Sequence, residues 1–256
     1  MLGFLTRRRR RALRARPFPP EWRRIVERNV PTFLRLPRAD QEAWLGHAQV
    51  LLAEKHWEGC GGLELTDEIR VTIAVHATRL LLGRDADYFP NVLSVLVYPS
   101  DLVRREEQHL GDGIWEEDED ELAGLAATDL GAIVISWDAV LDGLEEPEDG
   151  FNVVLHEFAH ELDSQDGTFN GAPLMDSGKA SARWAGVLAP AFEEHRAAVD
   201  EGEETFLDEY AATDPAEFFA VLTESFFERP RTLRAARPEV YDQLREFYKQ
   251  DPAQYA

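Results

Sequence analysis

The amino-acid sequence predicts an α+β protein that is mostly helical and carries a small sheet. Apolar residues recur every three or four positions in several long segments, as they do on one face of a helix. Only two short runs, 93–99 and 132–137, are rich in β-branched residues and are predicted to be strands. Because these segments are segregated along the chain and do not alternate, the pattern is that of an α+β fold.

Length and composition favour one domain preceded by an arm. The chain has 256 residues, 44% of them hydrophobic, so it can bury a large core without help from a disulfide or a metal. No internal repeat is visible, and no linker rich in Pro or Ser follows residue 30. We therefore predict a basic, flexible N-terminal arm over residues 1–20 and a single domain over residues 21–256.

The predicted helices have apolar faces and recognisable ends. Trp44 and Leu51 share one face of a helix over 39–57, which Gly59 stops. Thr66 is placed to cap the helix that follows. The remaining predicted helices lie at 151–163, 180–200, 215–228 and 238–249.

The charges exclude some classes of protein. There are 27 basic and 49 acidic side chains, a net charge of −22, which argues against direct nucleic-acid binding. The arginines nevertheless cluster in the N-terminal arm, and Glu116–Glu121 is a run of six acids that we expect to be a solvated loop. No apolar run approaches the roughly 20 residues of a transmembrane segment. The single cysteine, Cys60, is typical of a reducing compartment, so a cytoplasmic location is predicted.

The segment FNVVLHEFAHELD (151–163) carries the clearest chemical signal. On a helix, His156 and His160 lie one above the other, so their imidazoles can converge on one ion. Glu157 lies beside the first histidine. In this H-E-x-x-H arrangement a zinc ion lowers the pKa of a bound water and the glutamate takes the proton of that water. We predict one Zn²⁺ per chain, with both histidines as ligands and Glu157 as general base.

A catalytic zinc site needs a third protein ligand. Asp166 stands where the metzincin pattern places its third ligand, but that pattern requires Gly where this chain has Asp163. The stronger candidate is Glu217, in the first turn of the helix at 215–228. A glutamate presented by a second helix completes the His₂Glu ligand set of gluzincins.

The role of Glu217 has an alternative. Asp214-x-x-Glu217 is also the spacing of a capping box, in which Glu217 would only bond a backbone N–H. Glu224 or Asp163 would then supply the third ligand. Our hypothesis is that Glu217 is the ligand and that Glu224, two turns further on, supports it.

Two more side chains stand close to these candidates in sequence. Tyr210 precedes Glu217 by seven residues, and its phenol could donate to a developing oxyanion or simply pack at a helix entrance. Asp163 could orient an imidazole through the second ring nitrogen, or it could be an exposed acid at a helix end.

The two segments HEFAHELDSQDG (156–167) and YAATDPAEFFAVLTESFF (210–227) resemble the Mlc titration factor A family of bacterial zinc peptidases. The resemblance extends over most of residues 20–252. The pairing of Tyr210 with Glu217 is also similar to that in the catalytic domain of anthrax lethal factor. The resemblance implies a zincin-like, gluzincin-type domain with His156, His160 and Glu217 as zinc ligands. It further implies Glu157 as general base and Tyr210 as oxyanion donor.

Two functions follow from this resemblance. In the first, the protein is a zinc-dependent peptidase, aminopeptidase-like, that acts on peptides or proteins and regulates the expression of sugar-uptake genes. In the second, it is a regulatory binding protein that sequesters a transcriptional repressor and hydrolyses peptides weakly or not at all. The intact Glu157 favours the first function, because a pure binding protein gains little from a general base.

Overall fold

The structure is a computed structural model that describes residues 2–84, 87–101 and 131–256. The predicted loop Glu116–Glu121 lies outside the described residues. The described strands are β1 (His56–Gly59), β2 (Ser94–Tyr98) and β3 (Ala132–Ser136). The described α-helices are α1 (Leu2–Arg14), α2 (Pro20–Asn29), α3 (Arg38–Glu54), α4 (Asp67–Arg79), α5 (Trp137–Glu145), α6 (Val153–Asp163), α7 (Gly178–Asp200), α8 (Pro215–Glu228), α9 (Pro230–Ala236) and α10 (Pro238–Tyr248).

The chain divides into two compact units. The first contains Met1–Leu82 with Ala86–Glu145, and the second contains Gly83–Asp85 with Glu146–Ala256. The predicted class, mostly helical with a small sheet, is confirmed in its content of helices and strands. The single domain over residues 21–256 stays a prediction.

The sheet belongs to the first unit and has the strand order β1–β2–β3, with both pairs parallel. Helix α4 lies in the connection between β1 and β2, as parallel neighbours require. Every residue from Val71 to Arg79 is buried, which is the burial expected of a helix packed on all sides. The hydroxyl of Thr66 accepts the amide hydrogen of Ile69, so the predicted cap of α4 is confirmed.

The helix predicted at 39–57 extends too far, because its last two residues belong to strand β1. Helix α3 ends at Glu54, and Lys55 adopts an extended conformation. The ammonium of Lys55 donates to the carbonyls of Phe89 and Val92, which holds this turn beside the start of β2. The residues HWEG then pair with β2, a partner remote in sequence that no local pattern indicates.

The predicted N-terminal arm contains helix α1 in the structure, and this helix packs on α3 within the first unit. Leu13 is buried, and Arg14 lies against Gly46 of α3, where no side chain intervenes. The guanidinium of Arg10 pairs with Glu54 at 2.9 Å. Residues 2–14 of the arm thus form a helix that packs on the rest of the first unit through three side chains of one face.

The second unit is built from helices α6 to α10. Its most deeply buried aromatic side chains are Phe158, Trp184, Phe219, Phe226, Tyr241 and Tyr248. Each of the four helices predicted beyond residue 150 is present, with ends within two residues of the predicted ones. In the part of the chain that the structure describes, no helix is long and apolar enough to cross a membrane.

Candidate metal centre

The two helices that carry the candidate ligands both begin at side-chain caps. The carbonyl oxygen of the Asn152 side chain accepts the amide hydrogen of Leu155, so α6 starts one turn before His156. Asp214 accepts the amide hydrogens of Ala216 and Glu217 and starts α8. Capping groups of this kind satisfy amides that no helical carbonyl can reach. The caps therefore fix where along each helix the candidate ligands stand.

Three side-chain atoms from α6 and α8 converge in the second unit. His156 Nε2 lies 3.2 Å from His160 Nε2 and 2.9 Å from Glu217 Oε2. The third edge, from His160 Nε2 to Glu217 Oε2, measures 3.5 Å. Among the described residues, this is the one group of three or more His, Cys, Asp or Glu side chains that could hold a metal ion.

The triangle has the size of a zinc ligand set. Ligand atoms about 2.0–2.1 Å from a tetrahedral zinc lie roughly 3.3 Å from one another. The buried oxygen Glu217 Oε2 has no hydrogen-bond partner of good geometry, although it faces two ring nitrogens. Two ring nitrogens and a carboxylate oxygen this close to one another are the donor set that a zinc ion takes. The residues present thus fit a zinc ion.

Glu224 accounts for the orientation of the first histidine. One of its oxygens lies 2.8 Å from His156 Nδ1, and the other accepts the backbone N–H of Asn152. A carboxylate can only accept, so the Nδ1 of His156 carries the proton of the neutral ring. When a metal displaces the proton on Nε2, the lone pair of this nitrogen points into the triangle. Glu224 therefore lies behind a candidate ligand and outside the three-atom cluster.

The pKa values of these groups follow from their mutual contacts. Burial alone would lower the pKa of His156, but Glu217 and Glu224 outweigh it and raise that pKa to about 10. Burial would raise the pKa of Glu217, but the two histidines hold it well below its usual range. Burial raises the pKa of Glu224. In the absence of a metal the cluster holds protons, which a bound cation would displace.

Glu157 and Tyr210 flank the triangle. Glu157 follows His156 on α6 and is half-buried, and its charge is among those that raise the pKa of Tyr210. The ring of Tyr210 lies 6.1 Å from that of His156, and the nearby carboxylate of Glu217 is among the groups that raise the pKa of its phenol. Burial is the largest cause of the raised pKa of Tyr210, so the phenol keeps its proton at neutral pH. The structure thus brings all five predicted site residues together.

The alternative ligands are engaged elsewhere. Asp163 is buried and accepts the amide hydrogens of Asn170 and Gly171, so it anchors the loop that follows α6. Asp166 accepts both the amide and the hydroxyl hydrogen of Thr168. Both residues lie outside the three-atom cluster.

Sequence reasoning missed Asn152. Besides capping α6, this residue donates its side-chain amide to Glu228 and its backbone N–H to Glu224. It thereby ties the start of one ligand helix to the middle and the end of the other. An Asn directly before an apolar helical segment is a common cap, so that part of its role was detectable in the sequence.

Comparison with known proteins identifies the family of this chain. Residues 4–249 match the family described as glucose-regulated metallo-peptidase M90. The chain belongs to this metallopeptidase family. The match includes helix α1 from residue 4 onward and extends over both compact units.

Relatives of similar length support this membership. An uncharacterized protein of Synechocystis is 33% identical over 244 residues, which cover 95% of this chain and 89% of the relative. Proteins named Mlc titration factor A from Yersinia pestis and Yersinia pseudotuberculosis are 31% identical over 227 residues, covering 88% of this chain and 83% of theirs. The predicted resemblance to the Mlc titration factor A family is thereby confirmed.

Proposed function

We propose that the protein is a zinc-dependent peptidase of the gluzincin type, aminopeptidase-like in its action on peptides or proteins. The observation that carries the proposal is the meeting of His156 Nε2, His160 Nε2 and Glu217 Oε2 within 3.5 Å of one another. Membership in a metallopeptidase family supports it. The cytoplasmic location predicted from Cys60 is part of the proposal.

The ligand roles divide between the two helices. His156 and His160 on α6 and Glu217 on α8 would hold the ion, and Glu224 would keep the ring of His156 in place. When bound, zinc supplies Lewis acidity, which lowers the pKa of a water molecule and polarises the scissile carbonyl.

The remaining steps belong to the protein side chains. Glu157 accepts a proton from the attacking water and delivers it to the leaving amine. Tyr210 stays protonated because burial and the nearby carboxylates raise its pKa, so its hydroxyl can donate to the oxyanion that develops on the carbonyl. Tyr210 is 52% exposed, which leaves it accessible to a substrate.

The test compares the native protein with Glu157→Gln, which removes the base and keeps the size of the side chain. Hydrolysis of an alanyl anilide and of a mixed peptide library is measured after the zinc content of both proteins is confirmed. We expect native protein to hydrolyse peptides and the variant to retain zinc while kcat falls about a hundredfold to ten-thousandfold. Equal activity of the two zinc-loaded proteins would exclude Glu157 as the base.

A second candidate function is the binding of a transcriptional repressor, with weak hydrolysis or none. It is favoured by the name of the Yersinia relatives, Mlc titration factor A. If the protein binds a repressor, we expect the zinc-loaded protein to capture a transcription factor from a lysate of its own organism. Capture of none, together with measurable hydrolysis that Glu157→Gln abolishes, leaves the peptidase as the function of the site.

A further inference from the structure

Helix α1 differs in composition from the rest of the molecule. Its thirteen residues contain six arginines and no acid, in a chain whose net charge is −22. Its first turn contains the apolar side chains Phe4 and Leu5. A helix that joins large apolar residues to arginines and has no acids is typical of helices that lie on membrane surfaces.

One face of α1 is fixed to the first unit. Arg10 reaches both Glu54, at 2.9 Å, and Asp87, at 2.7 Å, and its guanidinium lies over the ring of Tyr88. Leu13 is buried on the same side of the helix. These contacts determine which way the opposite face points.

The opposite face is exposed and has the two parts that an anionic bilayer would engage. Phe4 is 72% and Leu5 60% exposed, although both are large and apolar. Arg8 and Arg11 are exposed and make no ion pair with the described residues. Positions 4, 8 and 11 lie along one side of a helix and Leu5 stands one turn before Arg8, so the two apolar side chains and the two guanidinium groups share a surface.

We propose that this face of α1, defined by Phe4, Leu5, Arg8 and Arg11, binds the surface of an anionic lipid bilayer. The two apolar side chains enter the boundary between headgroups and acyl chains, and the arginines bind lipid phosphates. A bilayer is favoured over nucleic acid because exposed Phe and Leu gain nothing from a phosphate backbone. The proposal concerns where the protein binds and is independent of the function of the metal centre.

The experiment measures co-sedimentation of full-length protein with vesicles. Vesicles of phosphatidylcholine with about 40% phosphatidylglycerol are compared with vesicles of phosphatidylcholine alone. We expect binding to the anionic vesicles only, and loss of that binding at about 0.5 M salt because surface charges are then screened. A DNA duplex of random sequence serves as the competing polyanion.

Two variants with matched controls separate the two parts of the surface. Arg8→Gln with Arg11→Gln removes two charges and should weaken binding about twenty-five-fold, at roughly fivefold per arginine. Its control, Arg24→Gln with Arg231→Gln, removes two exposed arginines from other helices and should bind as native protein does. Phe4→Ser with Leu5→Ser should weaken binding about tenfold or more, whereas Leu34→Ser, at a residue 58% exposed outside α1, should not.

Three results overturn the proposal. The proposal is wrong if native protein does not sediment with anionic vesicles at low salt. It is also wrong if the arginine variant and its control lose vesicle binding equally, because binding then depends only on the net charge of the protein. If the protein binds the DNA duplex more tightly than the vesicles, the ligand of this face is a nucleic acid and the proposal is wrong.

Discussion

Helix α1 and the helix pair α6–α8 both concentrate charged side chains, but they place them in opposite surroundings. The arginines of the outer face of α1 are exposed and unpaired among the described residues. The charged groups of α6–α8 are largely buried, and His156 lies 2.9 Å from Glu217 and 2.8 Å from Glu224. Exposed charges tolerate exchange because water solvates them, whereas buried charges depend on particular partners. Substitutions should therefore have large effects in one region and small effects in the other.

The largest effect is expected from Glu217→Ala. The substitution removes one corner of the ligand triangle, so zinc affinity should fall on the order of a thousandfold, and activity with it. Competition with a chelator, followed by metal analysis, measures the loss. Asp166→Ala is the matched control, because Asp166 bonds only within its own turn, and it should keep native affinity. Unchanged zinc affinity in Glu217→Ala would show that this assignment is wrong.

Tyr210→Phe should lower kcat about a hundredfold. The ring remains and only the hydroxyl that would donate to the oxyanion is lost. Zinc content and KM should stay at native values, because the phenol is outside the ligand triangle. Steady-state kinetics on the peptide that native protein hydrolyses best give kcat and KM separately. A rise in KM at constant kcat would instead assign Tyr210 to substrate binding.

Glu224→Gln should weaken zinc binding by roughly tenfold. The amide keeps an acceptor oxygen, but it removes the charge that holds the Nδ1 proton of His156. Chelator competition measures the affinity, and the melting temperature of the metal-free protein reports on stability. Glu228→Gln is the control, since Glu228 bonds the Asn152 side chain and contacts no candidate ligand. Equal losses in the two variants would indicate general disruption of α8.

The smallest effect is expected on α1. Arg8→Gln with Arg11→Gln should change the free energy of unfolding by about 0.5 kcal/mol or less, because both side chains are exposed. Arg10→Gln, which breaks the pair with Glu54, should cost more. Urea unfolding of native protein, the double variant and Arg10→Gln measures the free energies of unfolding and so checks this order. A larger loss from the outer arginines than from Arg10 would contradict the contrast between the two regions.

Much of the second unit could be predicted from the sequence because its signals are local. The helical spacing of apolar residues around His156 indicated α6, and the helix start at Asp214–Pro215 indicated α8, both within two residues. Caps, breakers and periodicity act over a few residues, so they can be recognised without knowledge of the fold.

The first unit was harder to predict, for the opposite reason. Strand β1 exists because it pairs with β2, and α1 is docked because Arg10 and Leu13 find partners on the domain. Each of these contacts joins residues more than thirty positions apart in the sequence, where no local pattern can reveal them.

By itself, the sequence determined the helical content, the H-E-x-x-H pair on one helix face and the membership of a metallopeptidase family. The choice among Glu217, Glu224, Asp163 and Asp166 depended on the tertiary structure, because all four are carboxylates at plausible spacings. Helix packing brings Glu217 Oε2 to the two ring nitrogens, sets Glu224 behind His156 and leaves the two aspartates to bond loop amides. Spacing along a chain fixes which residues share a helix face, whereas the partner of a buried charge is fixed only when a second helix packs against it.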